Sequence, residues 1–200
     1  MNVIGMLHAN FVFGRRIRVL TQEMAKHLPP ESRTVLDIGC GDGSLAVALK
    51  AERPELEVVG VDVLVRPNPG IPVLPFDGTT LPFGDKSFDV AMFSDVLHHT
   101  DDPLILLAEA KRVVRHAIVL KDHIRSGYGS YMTLRSMDWV GNAHHNVRLP
   151  YNYWTHDRWM RAFAGLGLAV KEWNGHLGLY PWPMSCVFDR NLHFVAQLRV

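Results

Sequence analysis

Short runs of apolar and β-branched residues alternate along the chain with longer stretches in which apolar and polar positions are mixed. Such runs predict strands, and their alternation with helical stretches is typical of the βα units that build a parallel sheet. The pattern therefore predicts an α/β fold. The first five predicted strands cover residues 34–38, 58–62, 71–76, 88–94 and 116–121.

The stretches between and after these runs carry apolar residues at helical spacing. The predicted helices cover residues 44–52, 103–114 and 155–166. Gly165 and Gly167 predict the end of the last helix, because glycine readily adopts the left-handed conformation that closes a helix. Two further runs, 168–173 and 192–200, predict strands that close the sheet, and the glycines, prolines and aromatics of 175–183 predict a loop between them.

The first 28 residues predict a helix outside the sheet. Apolar residues recur over 11–28 with Arg15 and Arg16 between them, which indicates an amphipathic helix packed on the core as a lid. This order of charged and apolar residues is not that of a secretory signal. Because the chain shows no internal repeat or linker, we predict one domain over 1–200, with a helical lid at 1–28 and a substrate-side insertion at 124–154.

Composition narrows the function classes. Lys and Arg total 21 and Asp and Glu total 20, for a net charge of +1, so we expect a small-molecule ligand and no nucleic-acid partner. The apolar runs are too short for the roughly 20 residues of a membrane span, so we expect no stable membrane insertion. Cys40 and Cys186 lack metal spacing and indicate free thiols. We expect a cytoplasmic monomer or homodimer.

Residues 35–43 read VLDIGCGDG and place three glycines directly after the first predicted strand. Glycines at this point let the backbone turn sharply and approach a ligand closely. The spacing is G-x-G-x-G followed by Ser44, whereas a dinucleotide fingerprint requires G-x-G-x-x-G. The turn therefore predicts a cofactor site and disfavours a nicotinamide dinucleotide.

Carboxylates surround this turn. Asp37 lies near the end of the first predicted strand, Asp42 lies in the turn and Asp62 ends the second predicted strand. A pyrophosphate is disfavoured beside these carboxylates, whereas the ammonium and sulfonium of S-adenosylmethionine are complementary to them. Asp62 is placed to accept hydrogen bonds from both ribose hydroxyls, a feature shared with nicotinamide enzymes.

Four motifs follow one another in a fixed order over roughly the first two thirds of the chain. They are VLDIGCGDG (35–43), VVGVD (58–62), FDGTTLPFGDKSFDVAMFSDVLHH (76–99) and HAIVLKD (116–122). This set resembles the class I S-adenosylmethionine-dependent methyltransferases, in their small-molecule, type 11-like branch. The resemblance implies a single Rossmann-like domain with a mostly parallel seven-stranded sheet, an antiparallel last strand and helices on both faces. It also implies S-adenosyl-L-methionine as cofactor and S-adenosyl-L-homocysteine as product.

The same resemblance implies a cofactor site. The implied cofactor-binding residues are Asp37, Gly39, Cys40, Gly41, Asp62, Val63, Asp77, Gly78 and Ser94. In this set Asp37, Gly39 and Gly41 hold the methionine part of the cofactor, and Asp62 holds the ribose. Asp77 meets the adenine amine, with Val63 and Gly78 along the ring, and Ser94 faces the methyl donor. A simple turn role for Asp77 before Gly78 is the alternative.

The segment after residue 62 departs from the family pattern. Pro67, Pro69 and Pro72 leave no room for the helix usually found there, because proline lacks a donor and clashes with the preceding turn. We therefore expect a more open adenine edge.

Three histidines are the candidate catalytic residues: His98, His99 and His123. They follow the fourth and fifth predicted strands, where the sheet edge opens into the ligand crevice. Neighbours on a helix point about 100° apart, so only one of His98 and His99 is expected to face the cofactor. Methyl transfer is an in-line displacement that needs a base only if the acceptor atom carries a proton. A structural role for each histidine is the alternative.

The insertion at 124–154 is rich in aromatic residues with polar tips, which suit pockets for flat or partly apolar ligands. A second small core beneath a long excursion is the alternative. The paired histidines of the insertion also suggest a metal, but no acidic residue stands at the spacing of a recognised ligand set, so we predict no metal site. The predicted substrate-binding residues are Tyr128, Tyr131, His144, His145 and Tyr153.

The function these motifs favour is methyl transfer to a small-molecule acceptor. Methyltransferases of nucleic-acid base amines resemble one another in an Asn/Asp-Pro-Pro-Tyr segment after the fourth strand, whereas residues 94–97 read SDVL here. Two alternatives from other classes are a nicotinamide-dependent oxidoreductase and a non-catalytic cofactor-binding protein.

Overall fold

The computed structural model describes residues 3–142 and 149–200, with side chains described from residue 14 onward except at residue 142. The strands are β1 (Thr34–Ile38), β2 (Glu57–Asp62), β3 (Val73–Pro75), β4 (Phe88–Ser94), β5 (Val114–His123), β6 (Ala169–Asn174) and β7 (His193–Arg199). The helices are α1 (Val3–His27), α2 (Ser44–Glu52), α3 (Pro103–Val113), α4 (Ser130–Asn142), α5 (His156–Gly165) and α6 (Ser185–Phe188), and a 3₁₀ turn spans Leu97–His99.

The strands form one seven-stranded sheet in the order β3-β2-β1-β4-β5-β7-β6. The first five strands pair with one another in parallel, and β7 runs antiparallel to both β5 and β6. The predicted sheet is thus confirmed, including its antiparallel last strand. The strand order reverses between β1 and β4, and in open α/β sheets ligands bind outside the carboxyl ends of the strands at this point.

Alternating residues of the central strands supply two hydrophobic cores, one on each face. In β4, Ala91 and Phe93 face a core covered by α3 and α5, whereas Val90 and Met92 face a core covered by α1 and α2. Because successive side chains of a strand point to opposite faces, a strand buried on both sides is a nearly continuous apolar run. The predicted helices on both faces are confirmed.

Several elements differ in extent from their predictions. β3 keeps only three residues, because Pro72 and Pro75 bring no backbone donor to the ladder. β5 runs for ten residues, because it lies between β4 and β7 and is paired on both sides. Two helices, α4 and α6, lie in segments with no predicted element. The described segment between β2 and β3 contains only turns and bends, as the prolines predict.

Helix α1 lies against the second core and extends toward the carboxyl edge of the sheet. Leu20 and Met24 are buried on it, and the Arg15 guanidinium donates to the Gly178 carbonyl at 3.0 Å. α1 begins earlier than the predicted helix at 11–28. Among the described residues, none of the helices combines the length and the apolar character needed to cross a bilayer.

Candidate functional site

The glycine turn after β1 needs its glycines for two different reasons. Gly39, Gly41 and Gly43 all have positive φ, at 73°, 58° and 77°, a conformation that disfavours side chains. A Cβ on Gly39 would lie 2.5 Å from Val96 Cγ2, so this glycine lets the turn pack against the segment after β4. A Cβ on Gly41 would meet nothing within 4 Å, so this position faces open space where a ligand can approach.

Asp62, at the end of β2, is tied to the glycine turn. One carboxylate oxygen accepts from the Gly41 backbone N–H at 2.8 Å, and the other accepts from the Leu64 N–H at 2.8 Å. Each oxygen has a second lone pair, so both retain an acceptor position for a ligand hydroxyl. The structure thus fixes the predicted ribose-binding carboxylate beside the turn.

Asp37 is a buried carboxyl group, only 2% exposed, at the end of β1. Burial and the nearby Asp62 carboxylate raise the pKa of Asp37 to about 7. Burial, Asp37 and Asp62 likewise raise the pKa of the Cys40 thiol to about 12. Burial and the neighbouring carboxylates thus disfavour the ionised form of Asp37, and a cationic ligand would favour it.

The predicted adenine-side residues lie at an open edge. The Asp77 carboxylate accepts from the backbone N–H groups of Thr79 and Thr80, both at 2.7 Å, so its turn role is present in the structure. Both bonds reach the same oxygen and leave the other to a ligand. Gly78 has φ 85°, and a Cβ there would lie 3.2 Å from Val63 Cγ1, so these two predicted residues are neighbours.

Charged side chains converge just beyond β4. Ser94 ends the strand opposite Lys121 of β5, and Asp95 follows in the left-handed region at φ 59°. The Asp95 carboxylate pairs with the Lys121 ammonium and the Arg16 guanidinium of α1. Burial alone would raise the pKa of Asp95, but Lys121 and Arg16 hold it well below its usual range. Burial lowers the pKa of Lys121, which is fully enclosed.

His98 is held from one side by Asp122 of β5. Its Nδ1 lies 2.6 Å from one Asp122 oxygen, and the other Asp122 oxygen accepts from the Leu97 N–H at 3.0 Å. The His98 Nε2 lies 3.2 Å from an Asp138 oxygen of α4. Burial alone would lower the pKa of His98, but the Asp122 and Asp138 carboxylates raise it to about 10.

His123 belongs to a second chain of contacts. Its Nδ1 lies 3.0 Å from His193 Nδ1, and His193 Nε2 donates to the Phe188 carbonyl at 2.9 Å. Burial and the charge of Lys121 lower the pKa of both histidines. The pKa of His99, beside His98, is lowered to about 4 by burial and by the charge of His98.

Asp138 joins the two histidine groups to the insertion. Its carboxylate lies 3.7 Å from His123 Nε2 and accepts a short hydrogen bond from the Tyr153 hydroxyl. Burial alone would raise the pKa of Asp138, but His123 and His98 lower it far below its usual range. Burial and Asp138 raise the pKa of Tyr153.

A cavity of about 220 Å³, named here the edge cavity, opens between these groups. It lies at the carboxyl ends of β4 and β5, under α1 and α4. Its lining residues are Arg16, Asp95, His99, His123, Met137, Asp138 and Gly141. A larger cavity of about 530 Å³ is lined by Arg115, Lys171 and Arg199 among others, at the amino-terminal edge of the parallel strands and away from the glycine turn.

The predicted substrate residues are placed unequally. Tyr153 is buried and touches the site through Asp138, and its ring centroid lies 5.9 Å from that of Tyr131. Tyr131 is exposed and Tyr128 is fully exposed to solvent, and neither of them lines the edge cavity. His144 and His145 lie outside the described residues.

Two of the three candidate catalytic histidines predicted from the sequence, His99 and His123, line the edge cavity. Arg16, Asp95 and Asp138 also line it, but the sequence did not predict them. Asp95 follows directly after a predicted strand, and this position was a usable signal. Arg16 and Asp138 reach the site only through the packing of α1 and α4, which no short motif encodes.

The chain matches a family model described as "Methyltransferase domain" over residues 8–172. It therefore belongs to the methyltransferase-domain family, and the predicted resemblance to class I S-adenosylmethionine-dependent methyltransferases is confirmed at the level of the family. The fold agrees with this assignment. A methyltransferase-activator complex of Haloferax volcanii contains a chain that superposes with a TM-score of 0.69 at 18% identity, covering 96% of this chain and 94% of that one.

Two more similarities bear on the assignment. An S-adenosylmethionine-dependent methyltransferase of Aquifex aeolicus superposes with a TM-score of 0.61 at 16% identity, covering 90% of this chain and 88% of that one. An uncharacterised methyltransferase of Mycobacterium sp. (strain KMS) is 38% identical over 100 residues, which are 46% of this chain and 39% of the relative. The chain thus aligns with about two fifths of the length of that relative.

Proposed function

We propose that this chain transfers the methyl group of S-adenosylmethionine to a small-molecule acceptor bound in the edge cavity. The observation that carries the proposal is that the glycine turn and the edge cavity adjoin. Gly39 of the turn packs on Val96, and Val96 directly follows Asp95, which lines the cavity. A donor on the turn and an acceptor in the cavity would therefore meet near the end of β4, as an in-line displacement requires.

The cofactor would lie across the carboxyl ends of β1 and β2. Its ammonium would neutralise the buried Asp37 carboxylate, and its ribose hydroxyls would bond to Asp62. The adenine would lie toward Val63 and Gly78, at the open edge next to Asp77. In this orientation the sulfonium points toward Ser94, and the methyl group toward the edge cavity.

The acceptor would be small and polar. The edge cavity holds about 220 Å³, and its walls carry the charged or ionisable side chains Arg16, His99, His123 and Asp138. A volume of this size suits a metabolite or one end of it, and the net charge of +1 gives no field for a nucleic acid. His99 and His123 face the space where an acceptor proton would be released.

A test compares Gly41 with Gly127, a second glycine that has positive φ and open space beside it. The chain and two variants, Gly41→Val and Gly127→Val, would be incubated with S-adenosylmethionine labelled in its methyl group and with a fractionated cell extract. Gly127 has φ 73° and open space beside it, so its substitution matches the backbone strain of Gly41→Val without touching the turn. We expect label in the small-molecule fraction for the parent and Gly127→Val, and none for Gly41→Val.

Mass spectrometry of the labelled fraction would identify the acceptor. Label found in protein or nucleic acid instead would contradict a small-molecule acceptor. Equal labelling by Gly41→Val would contradict the placement of the cofactor on the glycine turn.

A further inference from the structure

Two overlapping groups of side chains bring ligand-type atoms within 4.8 Å of one another: Asp95 with His98 and His123, and His98 with His99 and Asp138. His98 Nε2 lies 3.2 Å from an Asp138 oxygen, and His123 Nε2 lies 3.7 Å from the other Asp138 oxygen and 3.4 Å from an Asp95 oxygen. Ligand atoms bound tetrahedrally to one Zn²⁺ at about 2.1 Å lie roughly 3.4 Å apart. These three distances are therefore close to the spacing between neighbouring ligand atoms of a metal ion.

The far nitrogens of both histidines are already occupied. His98 Nδ1 faces Asp122 at 2.6 Å, and a carboxylate that holds one ring nitrogen directs the other toward a metal. For His123 the positions of the ring protons follow from a backbone carbonyl. The Phe188 oxygen can only accept a hydrogen bond, so His193 Nε2 carries a proton and donates to it. His193 Nδ1 then accepts from His123 Nδ1 at 3.0 Å. This arrangement leaves the Nε2 lone pair of His123 facing the cluster, and His98 would release its Nε2 proton when a cation binds.

Unsatisfied buried nitrogens mark the same place. His98 is only 1% exposed, and its Nε2 is paired with the Asp138 carboxylate at 3.2 Å but outside hydrogen-bond geometry. Within the described part of the chain, Nδ1 of the neighbouring His99 has no hydrogen-bond partner. A buried polar atom without a hydrogen bond is costly, and of these two histidines His99 lines the edge cavity.

We propose that His98, His123, Asp95 and Asp138 bind a divalent cation, Zn²⁺ by preference, at the wall of the edge cavity. Two imidazoles and two carboxylates form a ligand set that suits zinc and related first-row cations. Outer contacts hold the carboxylates in place, since Lys121 and Arg16 pair with Asp95 and Tyr153 donates to Asp138.

The cation would select the acceptor. This role rests on the proposed function, whereas the metal site itself does not. A hydroxyl or thiol bound to the cation would lose its proton to water, and its lone pair would form the new bond to the methyl carbon. The electrons of the broken carbon–sulfur bond would pass to the sulfur, which leaves as S-adenosylhomocysteine. The acceptor class would then be small molecules with a metal-binding hydroxyl or thiol.

The test is metal binding by chelator-treated full-length protein in the absence of S-adenosylmethionine. Zn²⁺ would be titrated by calorimetry, and Co²⁺ would be titrated while its visible absorption is followed. The ligand variants are Asp138→Asn and His123→Gln. The control is His156→Gln, which removes an exposed histidine next to Asp157 on α5.

We expect one equivalent of Zn²⁺, a Co²⁺ spectrum of low coordination number, at least about tenfold weaker binding in each ligand variant and parent-like binding in His156→Gln. Circular dichroism would establish that each variant is folded. The titration of the parent protein tests the site even if a variant fails to fold. Binding of less than one equivalent, or binding that both folded ligand variants retain, would overturn the proposal.

The titration also separates the two proposals. Gly41→Val is expected to bind Zn²⁺ like the parent while it fails to bind S-adenosylmethionine. A protein that transfers methyl groups but binds no metal would refute only the cation site, and a protein that binds Zn²⁺ without transferring methyl groups would refute only the proposed function.

Discussion

Asp37 is the residue on which cofactor recognition most directly depends. Its carboxyl group lies in a buried position beside Asp62, and burial and the Asp62 carboxylate raise the cost of ionising Asp37. A bound ammonium would remove this cost for Asp37. Cofactor binding should therefore be coupled to loss of the Asp37 proton.

The coupling gives a pH dependence with a definite sign. The pKa of Asp37 is about 7 in the ligand-free protein, and a cationic ligand favours the ionised form, so affinity rises with pH up to about 7. Below that pH we expect the affinity for S-adenosylmethionine to fall by about tenfold per unit. Calorimetric titration between about pH 5.5 and 7.5, where the ligand amine stays largely protonated, measures this slope.

Asp37→Asn is the matched control for the pH slope. The amide keeps the shape of the side chain but cannot ionise, so its weaker affinity should be independent of pH over the same range. A parent protein whose affinity is also flat across this range would show that Asp37 does not meet the ligand's positive charge.

The site residues that could be predicted directly from the sequence are those that lie within one short motif. Asp37, Gly39 and Gly41 lie in nine consecutive residues that span the end of β1 and the turn after it, and the sheet fixes their mutual positions. Asp138 lies 40 residues after His98 in the chain but 3.2 Å from it in the fold. No spacing rule covers such a pair, which is why the sequence predicted no metal site although the folded chain assembles a ligand set.

Among the elements, α1 links the first residues of the chain to the site. Arg16 pairs with Asp95 and lies 3.4 Å from the Tyr180 hydroxyl, and Arg15 donates to Gly178 in the same loop. Farther along α1, Glu23 accepts from the Asn174 side chain at 2.8 Å. The helix is therefore held over the edge cavity by polar contacts as well as by Leu20 and Met24.

Loss of the Arg16 charge should loosen this end of the molecule locally. Arg16→Met removes the charge that ties α1 to Asp95, so we expect faster amide hydrogen exchange in α1 and in the loop at 175–183. The central strands should exchange as in the parent, because their hydrogen bonds open only in global unfolding. Hydrogen exchange followed by mass spectrometry resolves these segments.

Arg18→Met is the control, since Arg18 lies on the same helix and is exposed. It should leave the exchange of both segments unchanged. Equal exchange in Arg16→Met and the parent would mean that apolar packing alone holds α1.

The elements also show where sequence patterns lose accuracy. β1, β4 and α2 have their predicted bounds, because an apolar run or a glycine turn marks each boundary. The structure of β5 extends past its predicted ends. Arg115 and Asp122 break the apolar pattern, but Asp122 still pairs with Phe194, and Val114 pairs with Phe88 beyond an irregularity in the ladder. α4 escaped prediction because its exposed Met132, Trp139 and Val140 blur the helical alternation of apolar and polar positions.

For the whole molecule, the strand order explains why chemistry gathers at one edge. The reversal between β1 and β4 opens a crevice, the glycine turn borders one side, and the ends of β4 and β5 supply Asp95, Asp122 and His123. The opposite edge holds a larger cavity but has no glycine turn beside it. Cavity size is therefore a poorer guide to the site than topology.

A ligand that fits this crevice should stabilise the entire domain. At about 100 times its dissociation constant, S-adenosylhomocysteine would add about 2.7 kcal/mol to the free energy of unfolding. For a domain of this size, each kcal/mol raises the melting temperature by roughly 2–4 °C, so a rise of roughly 5–10 °C is expected in a calorimetric or fluorescence melt.

NADH should produce no rise, because its pyrophosphate would face Asp37 and Asp62. Gly127→Val should retain the rise and Gly41→Val should lose it, since only the latter places a side chain in the ligand's space. A rise with NADH instead would favour the oxidoreductase alternative.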